Sequence, residues 1–363
     1  MYKITIGIPV YNTQEFIRNS LLSALNQSYK NIEFLIIDDK GTDKSMDIVH
    51  ELIRTHTRGK DIRIIAHKKN KGLAEARNTA LKEAKGEYIF FLDSDDTISS
   101  NCIEILYKNI IDHSVDFVAA SYNKVDEKDK VIEYVIYPSI VIKGKNKIAE
   151  YYFNDLKHEN IPTTMWNKLY KLSFLQENKI DCIPKRLYED VIFTFNLILI
   201  ANSCVIISDL LYNYKIRRNS IMQFNQRHFI PINEIEDHHF YKRIIKNESQ
   251  KYKKNTFYNS MITRTMISCF YDVRAIVEKR KIISEVVSSK NIKDLLAYPV
   301  SFYEIWKFKK HRILNIVLFV FSKLPYWANI SLLKSNIKYR KILYKIKATL
   351  INQCKRQPNQ IKH

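Results

Sequence analysis

Three carboxylates, Asp93, Asp95 and Asp96, stand within four positions directly after the apolar run Tyr88 to Leu92 in the stretch EYIFFLDSDDTIS. Like charges held that close repel one another and raise each other's pKa, so the cluster asks for a compensating cation. Alternate residues of an extended segment point the same way, which puts Asp93 and Asp95 on one side as hard oxygen ligands suited to Mg²⁺ or Mn²⁺. A structural use competes with this one, because Asp96 or Thr97 could cap a following helix. Two more acidic pairs matter. Asp38 and Asp39 end the apolar run of FLIIDDKGTD, and Glu189 and Asp190 open the apolar stretch of LYEDVIFTFNL. Acidic residues at a helix start are favoured by its dipole, while a carboxylate standing apart from a cation site can also act as a general base.

The elements that must position these groups alternate along the first third of the chain. Strand patterns at Ile4 to Val10, Glu33 to Asp38, Ile62 to Ala66 and Tyr88 to Leu92 are separated by helical patterns at Thr13 to Asn26, Lys44 to Thr55 and Leu73 to Ala84. This alternation predicts an α/β fold with a mainly parallel sheet flanked by helices. Ligands in such sheets sit beyond the carboxyl ends of the strands, and IGIPVYN, FLIIDDKGTD and IFFLDSDD all end in polar residues at that edge. Beyond Asp116 the pattern is mixed, with DFVAASYNKV and VIEYVIYPSIV resembling an antiparallel pair. From His228 onward it is helical and basic. The expected division is residues 1–222 and 223–363, with no internal repeat.

Composition narrows the class. At 363 residues, 46% hydrophobic and 27% charged, the chain is that of a folded protein with room for two domains. Its net charge of +21 implies an anionic partner. Five cysteines without a C-x-x-C pair fit a reducing cytoplasm and no zinc site. The opening MYKITIGIPVYN has no secretory pattern, and the longest apolar run, Ile313 to Phe321, is short of the roughly 20 residues that span a bilayer. A basic nucleic-acid-binding protein is the competing class, yet no helix-turn-helix, RRM, KH or zinc pattern occurs. A dinucleotide-dependent dehydrogenase would need a G-x-G-x-x-G after its first strand, and IPVYNTQ has no glycine there.

The blocks IPVYN, IIDDKGTDKS, NKGLAEARNTAL, FLDSDD and LYEDVIFTF follow one another in the order seen in family 2 glycosyltransferases, with WNKLY and YNYKIRRNSIM also familiar there. Over residues 4 to about 222 the chain resembles that family, which implies the GT-A fold, followed here by a basic helical region. The resemblance implies an inverting transfer, through an oxocarbenium-like transition state, from a UDP-sugar donor to a hydroxyl of a saccharide or lipid-linked acceptor in surface-glycan synthesis. Asp93 and Asp95 then match the DxD motif that holds a divalent metal on the donor diphosphate, with Ser94 between them. Asp39 matches the carboxylate that accepts the uracil imide N–H, although Asp38 could be the reader. Pro9, Tyr11 and Asn12 lie on the donor side. Arg77 matches an arginine facing the phosphates, its alternative being a surface helix arginine paired with glutamate. Lys71 stands where the family usually has a glycine. Asp190 matches the general base and Glu189 a group contacting sugar hydroxyls. Trp166 is a candidate stacking surface for the acceptor, or a core tryptophan. Arg217, Arg218 and Ser220 form a candidate flap, and His228 a candidate extra metal ligand or a solvated helix histidine.

The basic end suggests where such an enzyme works. Residues 302–363 hold fourteen Lys or Arg against Glu304 alone, so they carry thirteen of the +21 net charges. If Tyr326 to Leu350 is helical, Lys334, Lys338, Lys341 and Lys345 share one face, with Leu332, Tyr339, Ile342, Ile346 and Leu350 opposite. The expectation is an anchor on the anionic cytoplasmic membrane face; packing against the catalytic domain is the alternative. An inactive family member kept as an assembly subunit would not need Asp39, Asp93, Asp95 and Asp190 together.

Overall fold

A computed structural model describes residues 2–156, 160–184, 187–217 and 229–339. The chain forms two compact units, Met1–Arg227 and His228–His363, dividing five residues beyond the expected 222. Arg218, Ser220, His228 and the tail positions Lys341, Ile342, Lys345, Ile346 and Leu350 lie outside the described residues.

The first unit begins with the alternating series: β1 (Ile4–Val10), α1 (Ile17–Leu25), β2 (Ile32–Asp38), α2 (Ser45–Thr55), β3 (Ile62–Ala66), α3 (Leu73–Glu83) and β4 (Tyr88–Phe91). It continues through β5 (Thr97–Ile98), α4 (Cys102–His113), β6 (Phe117–Val125), β7 (Val131–Val135), β8 (Ile140–Lys143), α5 (Lys147–Asn154), β9 (Lys168–Lys171), α6 (Leu172–Glu177), α7 (Glu189–Ile200) and β10 (Ser203–Lys215). One sheet holds all ten strands in the order β3-β2-β1-β4-β9-β6-β10-β5, with β7 on β6 and β8 on β10. The β3-β2-β1-β4 half is parallel; β9 runs antiparallel to both its neighbours, and β10 is parallel to β6.

Every residue of β1 and β2 is buried, which is why ITIGIPV and IEFLIID are unbroken apolar runs with few polar members: both sheet faces are covered. Burying each Ile or Phe there stabilises the fold by about 1.5–3 kcal/mol. The register Val10↔Asp38 on one side of β1 and Gly7↔Phe91 on the other sets the carboxyl ends of β2, β1 and β4 beside one another. Gly7 also matters for α3, because a Cβ there would come within 3.1 Å of the Ala80 Cβ. The helix lies close on the strand, and Arg77, one turn before Ala80, is carried towards the end of β4.

DFVAASYNKV and VIEYVIYPSIV do form an antiparallel pair, but only the first part of the second stretch pairs with β6; its end becomes β8 on β10. The first helix starts at Ile17, four residues later than expected. Residues 13–16 are held as turns because Thr13 N–H donates to Ser45 Oγ and Gln14 N–H to Asp43 Oδ2, each at 2.8 Å.

The second unit contains α8 (Ile232–Ser249), α9 (Tyr258–Lys279), α10 (Ser289–Leu296), α11 (Phe302–Trp306), α12 (Arg312–Lys323) and a helix over residues 326–339. Two lysines, the buried Lys246 and the half-buried Lys293, close two of its chain turns. Lys246 Nζ donates to the Leu295 and Ala297 carbonyls at 2.6 and 2.7 Å, and Lys293 Nζ to those of Ser322 and Leu324 at 2.9 and 2.5 Å. A cation at a helix end complements the carbonyl dipoles it meets. The expected basic stripe is visible in Lys334 and Lys338, both exposed, but Leu333 on the same helix is fully buried, so this part packs on its own unit. Among the described residues no helix is long and apolar enough to cross a membrane.

Candidate active site

The segment after β4 is fixed by hydrogen bonds that reach across the sheet. Asp93 N–H donates to Tyr212 Oη at 3.2 Å, and the Tyr212 hydroxyl in turn donates to Asp96 Oδ2 at 2.8 Å. The second Asp96 oxygen accepts Lys215 N–H at 2.7 Å. Asp96 therefore ties the acidic segment to β10 and caps no helix. Burial, with the charges of Asp95 and Asp93, raises its pKa well above the ordinary carboxylate value. Ser20 Oγ donates to the Asp93 carbonyl at 3.1 Å, and Ser94 is buried. Of the three carboxylates, Asp93 and Asp95 are the two left partly open.

Arg77 occupies the centre. The residue is 2% exposed, and its guanidinium forks between two acids, reaching Asp93 Oδ1 at 2.7 Å and forming an ion pair with Glu189. Burial works against its charge, but Asp93 and Glu189 outweigh that and hold its pKa above the usual value. The partner glutamate comes from α7, 112 residues away, and not from a neighbouring helix turn. Removing the cation would strand two acids, of which Glu189 is buried. Arg77→Met should lower stability by about 3 kcal/mol, read as the midpoint of urea unfolding, and Glu189→Gln added to it should restore part of the loss. An unchanged midpoint would mean the cluster carries no weight.

Asp190 follows Glu189 at the start of α7 and is partly buried. Burial, then the Glu189 carboxylate, pushes its pKa up to about 7, while Arg77 pulls the other way. Asp95 pairs with Arg217, whose guanidinium lies 4.9 Å from the centre of the Phe16 ring. Burial and Asp93 raise the Asp95 pKa, which Arg217 opposes. Arg217 is the described member of the expected flap.

The other corner of the site is built at the ends of β1 and β2. Tyr11 is 47% exposed, whereas Pro9 is buried inside β1. Asn12, at φ 51°, accepts Thr42 N–H on Oδ1 at 2.7 Å and links the two strand ends. Asp39 Oδ1 accepts Lys71 N–H at 2.8 Å and lies 2.7 Å from His67 Nδ1, and Oδ2 accepts Gly72 N–H at 2.8 Å. These contacts leave one lone pair, on Oδ2, and the residue is 2% exposed. Gly72 sits at φ 87°, so the turn that delivers these N–H groups needs glycine there, while Lys71 needs only its backbone. Asp38 lines an adjoining cavity of about 200 Å³ with Asn12, Lys40 and Gly41.

Trp166 differs from the acceptor expectation. It is 6% exposed and stacks on Tyr212 at 4.5 Å and Tyr214 at 5.4 Å, with Tyr122 edge-on at 4.9 Å. The ring is part of the aromatic core that braces β10, with no open face for a sugar. Sequence reasoning missed His67, Tyr212 and Lys215; each is far along the chain from the carboxylate it meets, and no local spacing marks them.

The sequence profile named glycosyl transferase family 2 matches residues 5–174. Glycosyltransferase GlyG of Streptococcus pneumoniae serotype 4 is 32% identical over 228 residues, covering 61% of this chain and 73% of GlyG. The chain belongs to glycosyl transferase family 2. Family 2 relatives include longer chains: glycosyltransferase GlyA of the same organism is 31% identical over 230 residues, and the match spans only 31% of its length. The fold is shared with Staphylococcus aureus TarS residues 1–349, solved in complex with UDP-GlcNAc, at a TM-score of 0.64 and 20% identity over 88% of this chain and 90% of that one. This is the GT-A fold with a helical region after it. The family 2 profile stops before Glu189, which pairs with Arg77, and before β10, whose Tyr212 accepts from Asp93 N–H.

Proposed function

We propose that this family 2 glycosyltransferase is an inverting enzyme that moves a hexosyl or N-acetylhexosaminyl group from a UDP-sugar to a hydroxyl of a saccharide acceptor, free or lipid-linked, in capsule, lipopolysaccharide or lipooligosaccharide synthesis. The observation that carries this reading is the placing of acidic groups on two different elements around Arg77. Asp93 and Asp95 are partly open hard donors, and Asp190, on a different element, has its pKa lifted to about 7, where a general base is effective near neutral pH. TarS, which shares the fold, binds UDP-GlcNAc, and that supports UDP as the carrier.

Mg²⁺ or Mn²⁺ fits the donor set. Two carboxylates, of which Asp95 has its pKa raised by burial and then by Asp93, gain from a divalent cation, although among the described residues no third His, Cys, Asp or Glu joins them. Such a cation, when bound, supplies positive charge where the leaving diphosphate becomes more negative. The chain does the rest. Tyr11 and Asn12 border the base and ribose, and Asp39, through its remaining lone pair, accepts the uracil imide N–H, with Asp38 the other acceptor at that corner. Arg77 holds Asp93 and Glu189 in register beneath the phosphates. Asp190 takes the acceptor hydroxyl proton as that oxygen attacks the anomeric carbon from the face opposite the diphosphate, so the configuration inverts.

Release of the free nucleotide from a panel of UDP-, GDP-, ADP- and CMP-sugars, with Mn²⁺, Mg²⁺ or EDTA, tests the reading. Turnover should be confined to one or a few UDP-sugars and vanish in EDTA. Equal turnover of another nucleotide class would overturn the donor assignment.

A further inference from the structure

Helix α12 has its polarity reversed relative to a helix lying on a water-facing surface. Asn315 and Ser322 are its buried residues, while Ile313, Val317 and Val320, at spacings of four and three on the opposite side, are 79%, 58% and 52% exposed. The buried side is locked in place. Asn315 Nδ2 donates to Thr263 Oγ1 at 2.7 Å, and its Oδ1 accepts the Tyr298 hydroxyl at 2.7 Å. Turning the helix to hide the aliphatic stripe would break these bonds inside the unit, so the stripe is held outward.

Its surroundings indicate what covers it. Trp306 and Trp327, in the neighbouring helices, are 57% and 73% exposed. Large amphipathic rings of this kind favour the boundary between lipid head groups and acyl chains. Lys307, Lys309, Lys310 and Arg312 precede the stripe and Lys323 ends it, all exposed, and residues 305–363 contain no acid. An apolar stripe with cations before and after it in the chain complements an anionic bilayer surface, and Glu304, the acid closest to Trp306 in sequence, is engaged by Lys253; a protein partner would need an acidic rim around an apolar centre. The helix is twelve residues long and enters no further than the interface.

We propose that the outer face of α12, flanked by Trp306 and Trp327, is a docking surface for an anionic membrane. This moves the inserting element from the expected helix over Tyr326 to Leu350 to α12 and gives the tail lysines the role of long-range attraction. The proposal does not depend on the sugar chemistry, since binding is read without turnover.

Sedimentation of the full chain with vesicles of phosphatidylcholine, or of equal parts phosphatidylcholine and phosphatidylglycerol, tests it. The chain should bind the mixed vesicles, more weakly as salt rises, and shift its tryptophan emission to the blue. Ile313→Ser, Val317→Ser and Val320→Ser combined should weaken partitioning at least about tenfold while the melting temperature stays put, because these side chains are largely in solvent already. Lys309→Gln with Lys310→Gln should weaken binding and flatten its salt dependence. Equal binding to both vesicle types, or a triple variant that binds as well as the original chain, would overturn the proposal. So would a self-associating chain that ignores vesicles and becomes monomeric in the triple variant, since a second copy would then cover the face.

Discussion

Asp190→Asn should bind UDP as tightly as the unaltered chain and turn over about 10²- to 10⁴-fold more slowly, the usual worth of a positioned general base. Calorimetry and product formation on one preparation separate the two quantities. The pH behaviour gives a second readout. Burial raises the Asp190 pKa from 3.8 to about 7, so kcat/KM should rise with pH through a limb far above the ordinary carboxylate range, and the variant's residual activity should lack that limb. The sign for stability is opposite. A carboxyl whose pKa is raised in the fold favours folding while protonated, and this contribution is lost as pH climbs from 3.8 through about 7. Asp190→Asn should therefore be at least as stable as the original chain at pH 8. A variant with normal turnover would move the base to another group, Glu189 first.

Asp95→Asn should reduce transfer to background, and UDP should then bind in Mn²⁺ only as weakly as it binds the unaltered chain in EDTA. The substitution removes a charge that the fold already disfavours, as the raised Asp95 pKa indicates, and the side chain is partly exposed. Unfolding should therefore be little changed at neutral pH, and lost activity could not be assigned to lost structure. Asp96→Asn makes the contrast. Its oxygens accept from Tyr212 and Lys215, so that change should loosen the attachment to β10 and lower the melting temperature. Full activity of Asp95→Asn, or of the original chain in excess EDTA, would remove the metal from the reaction.

The parts of the fold that could be read from sequence are those decided by local pattern. β3 is found at Ile62–Ala66 at both of its expected ends, and β1, β2, α2 and α3 fall within one residue of their patterns, because each is a buried run or stripe bounded by polar turns. The start of α1 was not legible, since Asp43 and Ser45, at the start of α2, take the N–H groups of Gln14 and Thr13. The same limit applies to the site. FLDSDD and LYED are visible as local clusters, but nothing in either stretch shows that Arg77 lies between them, or that Trp166 is enclosed by Tyr212 and Tyr214. The polar spine of α12 was hidden too, because in sequence Asn315 and Ser322 are two polar residues in an apolar helix, and their burial depends on Thr263 and Tyr298.

The attachment of Asp96 to Tyr212 and Lys215 sets an order of events during synthesis. These partners lie 116 and 119 residues downstream of it. At an elongation rate of about 5–20 residues per second, the acidic segment waits roughly 6–24 s after leaving the ribosome before its anchor exists. The parallel half of the sheet can assemble in that interval, but the carboxylates at its edge remain without their fixed geometry. The nascent enzyme therefore passes through a stage in which the β1–β4 half has emerged, with every residue of FLDSDD in place, and the site cannot yet be set.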